Sequence, residues 1–168
     1  RTQAYFLWRL TAESLRFGHP RLSASSADGF HSSPLGHPAP LFANPPRKPE
    51  SGKRVTEHDV PGPIRPVAFF QNLERYYGIG AEASVAVYRG GDGEGPDLEP
   101  IPLDRILCKD LSDWSPPPPG HVAIDVRLGR LAFAPGETPG EGVRVSCHHG
   151  FSADIGGGAY DRRSSLTA

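Results

Sequence analysis

From Gly18 to Arg54 the chain reads GHPRLSASSADGFHSSPLGHPAPLFANPPRKPESGKR, and no other stretch limits the fold so sharply. Proline removes a backbone donor and fixes φ, and glycine makes any regular element entropically costly. Pro, Gly and Ser at this density therefore exclude a helix or a long strand. Phe30, Leu35, Leu41 and Phe42 nonetheless recur through the stretch. Apolar side chains on an irregular backbone leave water only by lying over another surface, so the segment is expected to wrap a body formed elsewhere. The rest of the chain shares this habit: 20 glycines and 19 prolines stand among 168 residues, and only 37% of the residues are hydrophobic. These values point to one modest core with long irregular connections, not to a compact helix-rich enzyme.

The body is expected downstream. PGPIRPVAFFQNLERYYG, Pro61 to Gly78, is the single predicted helix. Pro63 suits a first turn, and Pro66 is early enough to be tolerated. Val67, Phe70, Leu73 and Tyr77 recur at helical spacing as its expected buried face, and Gly78 is a plausible stop. After Gly78 the period falls to two. ASVAVYR (83–89), the stretch around Ile106 to Cys108, the hairpin HVAIDVRLGRLAF (121–133) and VRVSCHHGF (143–151) read as strands. In the last, Val143, Val145 and Cys147 share one face, while Arg144, Ser146 and His148 take the other. SPPPPG (115–120) reads as an extended spacer, and AYFLWRL (4–10) as a strand or docking segment. The expected fold is mainly β with one short helix: a small antiparallel β domain with long Pro/Gly-rich wrapping loops. Residues 1–60 form an irregular wrapping segment, and 61–162 the helix plus antiparallel β domain. Residues 163–168 form a tail toward a further module, since the chain reads as a segment of a longer protein.

A net charge of −1 gives no electrostatic ground for nucleic acid or an anionic membrane as partner. The one basic run, RKPESGKR (47–54), is rich in Pro and Gly and reads as a solvated loop. No apolar run approaches the roughly 20 residues of a membrane span. The two cysteines, Cys108 and Cys147, fall in separate strands. Two buried reduced thiols are expected, a bond between neighbouring strands being the alternative.

The richest chemical types lie in CHHGFSADIGGG (147–158). Cys147 and His149 share a strand face, so they are the metal candidates here, with Cys108 the nearest further ligand by type. A structural zinc site wants four ligands in spaced pairs, and this spacing does not supply them, so no metal is expected. Asp154, Gly156, Gly157 and Gly158 resemble an anion cradle but lead into no helical period. They read as a turn that admits positive φ. Asp110 and Asp113 in KDLSDW are more simply turn residues bonding their own backbone than a catalytic carboxylate pair, with the Trp114 ring buried beside them. No catalytic residue and no cofactor are expected.

IPLDRILCKDLSDW, VAIDVRLGRLAF and VRVSCHHGFSADIGGGAYDR, in that order, resemble a region of large, mostly uncharacterised bacterial proteins. Those proteins are associated with gene clusters for phage-tail-like contractile particles (contractile injection systems). YFLWRL, SPLGHPAPLF and PGPIRPVAFFQNLERYYG are similar to the family's earlier segments, so the resemblance spans nearly the whole chain. It implies a module preceding a right-handed β-helix, with a structural role at the baseplate, tail fibre or cargo end. It implies other protein subunits of the particle as partners, and either cytoplasmic assembly or release with the particle. Where the family's strand often reads Tyr-His-Tyr-Gly, this chain has Cys147, His148, His149 and Gly150. Tyrosine at both outer positions implies packing rather than metal binding. The expected interaction residues are Trp8, Phe42, Tyr76, Tyr77 and Trp114. Two alternatives stand beside this reading. One is a mounting domain for a polysaccharide-cleaving β-helix enzyme. The other is a carbohydrate-binding β module stacking Trp8, Tyr76, Tyr77 and Trp114 on a surface polysaccharide.

Overall fold

The computed structural model describes residues 9–45, 52, 54–90, 98–139 and 142–153. The protein is mainly β, with two short helices. One sheet has the order β1 (Arg9–Gly18), β9 (Val143–Ala153), β4 (Ala86–Arg89), β5 (Glu99–Pro100) and is antiparallel throughout. The other has the order β2 (Arg21–Leu22), β3 (Gly29–His31), β8 (Arg130–Phe133), β7 (Val122–Asp125), β6 (Ile106–Cys108). Its β6–β7 pair is parallel, a departure from the purely antiparallel expectation. A parallel pair needs a crossover of about a dozen residues or more, and the proline-rich connection from Lys109 to His121 supplies it. Lys109 Nζ donates to the Pro116 carbonyl at 2.7 Å, tying this connection back to its start.

The core lies between the sheets. Val87, Val143, Val145 and Cys147 from the first sheet, with Val85 just ahead of β4, meet Ile106, Val122, Ile124, Leu131 and Phe133 from the second. The period-two reading of β9 holds: Val143, Val145 and Cys147 are all buried. Its opposite face is covered too. Arg144 is buried, and the backbone N–H of Phe17 donates to Ser146 Oγ at 3.1 Å.

Residues 1–60 were expected to be irregular, yet they supply β1, β2 and β3. β1 pairs with β9 from Arg9↔Ala153 to Gly18↔Val145, with an irregularity after Leu15. RLTAESLRFG lacks a clean alternation because it is an edge strand with half-exposed side chains on both faces. Its order comes from the β9 ladder, not from its own pattern.

The wrapping expectation for the middle of that segment is met at Leu41 and Phe42. Leu41 N–H donates to the Val126 carbonyl (2.8 Å) in the β7–β8 turn, and Phe42 N–H donates to the His148 carbonyl (2.9 Å) on β9. Two consecutive residues thus staple one sheet to the other, and both side chains are buried. Gly129, in the β7–β8 turn, has φ +58°, and a Cβ there would run into the Ala39 carbonyl and Ser32 Oγ. Only glycine fits where the staple passes this closely.

The helix is two pieces, α1 (Pro66–Gln71) and α2 (Leu73–Tyr76), interrupted at Asn72 with φ −132° and ψ 42°. Asn72 donates twice to the Ala68 carbonyl, through its backbone N–H (3.0 Å) and its Nδ2 (3.2 Å), which ends the first piece. The expected buried face is corrected. Val67 and Phe70 are 66% and 73% exposed, while Ala68, Phe69, Tyr76 and Tyr77 are buried. Phe69, Leu73 and Tyr76 also follow four- and three-residue steps, and the core selects that face. Tyr77 Oη donates to the Ile101 carbonyl at 2.8 Å and sits 3.4 Å from the Val87 N–H, so burial of its hydroxyl is compensated.

Candidate functional site

Alternation along β9 brings Cys147 and His149 to the same face, and Cys147 Sγ lies 3.4 Å from His149 Nε2. A cysteine beside a histidine can be a nucleophile only if the thiolate forms. Here burial pushes the thiol up to about 12, eased slightly by the Ser32 hydroxyl. Burial also pulls His149 below its ordinary value, helped by His148 and opposed by the Pro40 carbonyl. Both shifts favour the neutral forms, so the proton stays on sulfur and the pair is a packed, uncharged contact. At pH 7 such a thiol is ionised to about one part in 10⁵.

Cys108 does not join them. It lies on β6 in the other sheet, with Sγ 3.4 Å from the Pro66 carbonyl, and both cysteines are free. Of the three metal candidates, the structure unites Cys147 and His149 and separates Cys108. Among the described residues no group of three or more His, Cys, Asp or Glu side chains is arranged to hold a metal ion.

The KDLSDW segment closes as a pair of turns. Asp110 Oδ1 accepts from Ser112 N–H (2.8 Å), and Asp113 Oδ1 accepts from Ser115 N–H (3.0 Å). The Ser112 hydroxyl and then its N–H hold Asp110 below the usual carboxylate value, and the Ser115 N–H and then its hydroxyl do the same for Asp113. A general acid needs the opposite shift. Asp125, not singled out by the sequence reading, anchors this loop: its Oδ2 accepts from Leu111 N–H at 3.0 Å, and its Oδ1 accepts from Arg127 and Leu128 N–H. Arg130 donates through Nη1 to the Leu111 carbonyl (2.7 Å), and its guanidinium lies 4.4 Å from the centroid of the Trp114 ring. His31 meets the same ring edge-on at 5.2 Å. Trp114 is half-buried at φ 59°, one ring face committed to Arg130. The only sequence signals for Asp125 and Arg130 were their positions flanking the hairpin turn.

The aromatic residues expected to meet partners are mostly interior. Phe42, Tyr76 and Tyr77 are buried, so none presents a ring face to a sugar. Phe42 closes over Gly150, where a Cβ would collide with its ring. Trp8, Asp154, Gly156, Gly157 and Gly158 lie outside the described residues. What the surface does offer is the outward side of α1, where Val67 and Phe70 stand one turn apart. Among the described residues no helix is long and apolar enough to cross a membrane. Comparison with protein-family models, curated proteins and solved structures finds no match to this chain.

Proposed function

We propose that the chain is a non-catalytic structural and interaction module of a phage-tail-like contractile particle, serving assembly or attachment at its baseplate or fibre. The sequence resemblance supplies the particle. The observation that carries an interaction role is the exposed Val67–Phe70 face of α1. Burying such side chains contributes about 1.5–3 kcal/mol each, enough to bias docking of a neighbouring subunit without new polar contacts. The neutral Cys147–His149 pair and the turn-bound Asp110 and Asp113 support a role without turnover. The protein then works as a rigid mount, its two sheets stapled by Leu41 and Phe42.

Sedimentation tests this reading. In cells producing the particles, the chain should co-sediment with assembled tails, and Val67→Asp combined with Phe70→Asp should shift it to the soluble fraction while leaving its melting temperature unchanged. Particles that assemble and attach at full yield without the chain would refute the proposal.

A further inference from the structure

Away from the sheet interior, an open cleft of about 600 Å³ is lined by Arg89, Asp104, Arg105, Gly120, His121 and Glu137. Both sheets build it. Arg89 ends β4, and Asp104 and Arg105 lie in the 3-10 turn (Leu103–Arg105) that leads into β6. His121 immediately precedes β7 and falls beside Arg105, because β6 and β7 are parallel with Ile106 opposite Val122. Glu137 comes from the turn after β8, whose Phe133 is opposite Val122.

The polar atoms of this cleft divide into committed and uncommitted. Glu137 is committed: both its oxygens accept from Gly120 N–H, at 2.8 and 3.1 Å. The His121 ring is half committed. Its Nδ1 lies 3.0 Å from the Pro119 carbonyl and must donate there, leaving Nε2 as an acceptor in the neutral ring. Arg89 Nε is buried with no hydrogen-bond partner. The side chains of Arg105 and Asp104 are exposed and, among the described residues, make neither a hydrogen bond nor an ion pair, the Arg105 backbone N–H alone donating to the Pro102 carbonyl at 3.0 Å. Elsewhere arginines meet nearby acids readily, as in Arg65–Glu57 at 2.6 Å and Arg75–Asp59 at 3.3 Å. Two guanidinia and a carboxylate that share a cleft yet remain unpaired hold hydrogen-bonding capacity for something else.

That capacity has a definite chemistry. Guanidinium forks match a carboxylate in two-point geometry. The uncommitted acceptors, Asp104 and His121 Nε2, call for a ligand that also donates. A sugar acid joins the two on one ring, a single carboxylate beside several hydroxyl donors, whereas inorganic phosphate carries its charge and its P–OH on one small centre. We propose that the cleft binds a uronic-acid residue of an acidic polysaccharide, its carboxylate on Arg89 and Arg105 and its hydroxyls on Asp104 and His121 Nε2. The cleft volume lies within the few-hundred to thousand Å³ of ordinary ligand pockets. The assignment stands on the cleft's own hydrogen-bond accounting, independently of whether the chain belongs to a particle.

The test is titration of the 168-residue chain with trigalacturonate, followed by amide chemical shifts and calorimetry. Neutral maltotriose and inorganic phosphate serve as the comparison probes. Saturable shifts at Arg89, Arg105 and His121 are expected, with at least tenfold weaker binding of both comparison probes. Arg105→Gln, at an exposed position, should fold with an unchanged melting temperature and weaken trigalacturonate binding at least tenfold. Asp104→Asn should weaken it several-fold by replacing a charged hydroxyl acceptor with a weaker neutral one. Equal binding of maltotriose would remove carboxylate recognition. Phosphate binding as tightly as trigalacturonate, or tighter binding by Asp104→Asn, would reduce the site to a bare anion trap. Absence of trigalacturonate binding, or indifference to Arg105→Gln, would overturn the proposal outright.

Discussion

Cys147 and His149 lie 3.4 Å apart between the sheets, whereas the Arg105 and Asp104 side chains stand in an open cleft without a partner among the described residues. By residue type the first pair looks like chemistry and the second like ordinary surface. Physical environment reverses that ranking. Burial holds the thiol and the imidazole in their neutral forms, where neither can attack or exchange a proton near pH 7. The cleft keeps full charges in reach of solvent, with donors and acceptors that no backbone group has claimed. Full charge within reach of solvent, not the presence of reactive residue types, separates a surface that can recognise a ligand from an interior that only packs.

The largest effect that can break this contrast is thiol reactivity. Cys108 is half-buried and its thiol is raised by burial and then by Asp125, whereas Cys147 is fully buried and pushed up to about 12. With iodoacetamide at pH 8, Cys108 should react first. Cys147 should react at least about 10³-fold more slowly than in the urea-unfolded chain, from the loss of thiolate alone. Peptide mass mapping over time reads both rates. Equal rates for Cys147 folded and unfolded would mean that the pair is open to solvent, and the interior reading would fail.

Next in size is the staple. Leu41 is fully buried where its backbone joins the two sheets. Leu41→Ala should cost about 2–5 kcal/mol in urea unfolding, from lost transfer energy and the cavity left behind. Arg105→Ala in the cleft should change stability by no more than about 0.5 kcal/mol. A small loss at Leu41 would show that the sheets hold together without the wrapping segment. A large loss at Arg105 would show that the cleft is structural.

The two regions also differ in how far the sequence reveals them. Strand β9 was legible because Val143, Val145 and Cys147 alternate within one segment, and the KDLSDW turns because Asp110 and Asp113 each precede their backbone donor by two residues. Leu41 and Phe42 were legible as apolar residues on a backbone too irregular to bury them alone. The helix face was not. Val67, Phe70, Leu73 and Tyr77 fit one helical stripe and Phe69, Leu73 and Tyr76 another, and only the sheet beneath decides between them. Edge strand β1 carries no clean alternation to read. The cleft was least legible of all. Arg89, Asp104, Arg105, His121 and Glu137 come from four separate places in the chain, and the parallel β6–β7 register that brings Arg105 beside His121 is a property of the topology. No local spacing rule can anticipate that meeting.

The smallest effect tests the interior through pH. His149 is lowered by burial and then by His148. His58 is lowered by burial and then by Arg75, with Asp59 and Glu82 opposing, and His31 by burial, Arg130 and His37. Each folded-state value lies below the ordinary 6.5 of the unfolded chain. As pH falls below about 6.5 the unfolded chain takes up protons that the native chain refuses, so the equilibrium shifts toward unfolding. The stabilisation is complete above that pH and is lost progressively as pH drops through the folded-state values. Asp59, Asp110 and Asp113, whose folded values are held below 3.8, add a separate loss at more acid pH. Urea midpoints measured from pH 8 to pH 5 should therefore decline before any carboxylate titrates. His58→Phe keeps a ring against Tyr76, which the native imidazole meets edge-on at 5.0 Å, while removing one titrating group. It should flatten the decline by at most one proton's share of the slope. A midpoint that stays level between pH 7 and pH 5, or a His58→Phe profile parallel to the parent, would mean that these imidazoles are already open to protonation in the folded state.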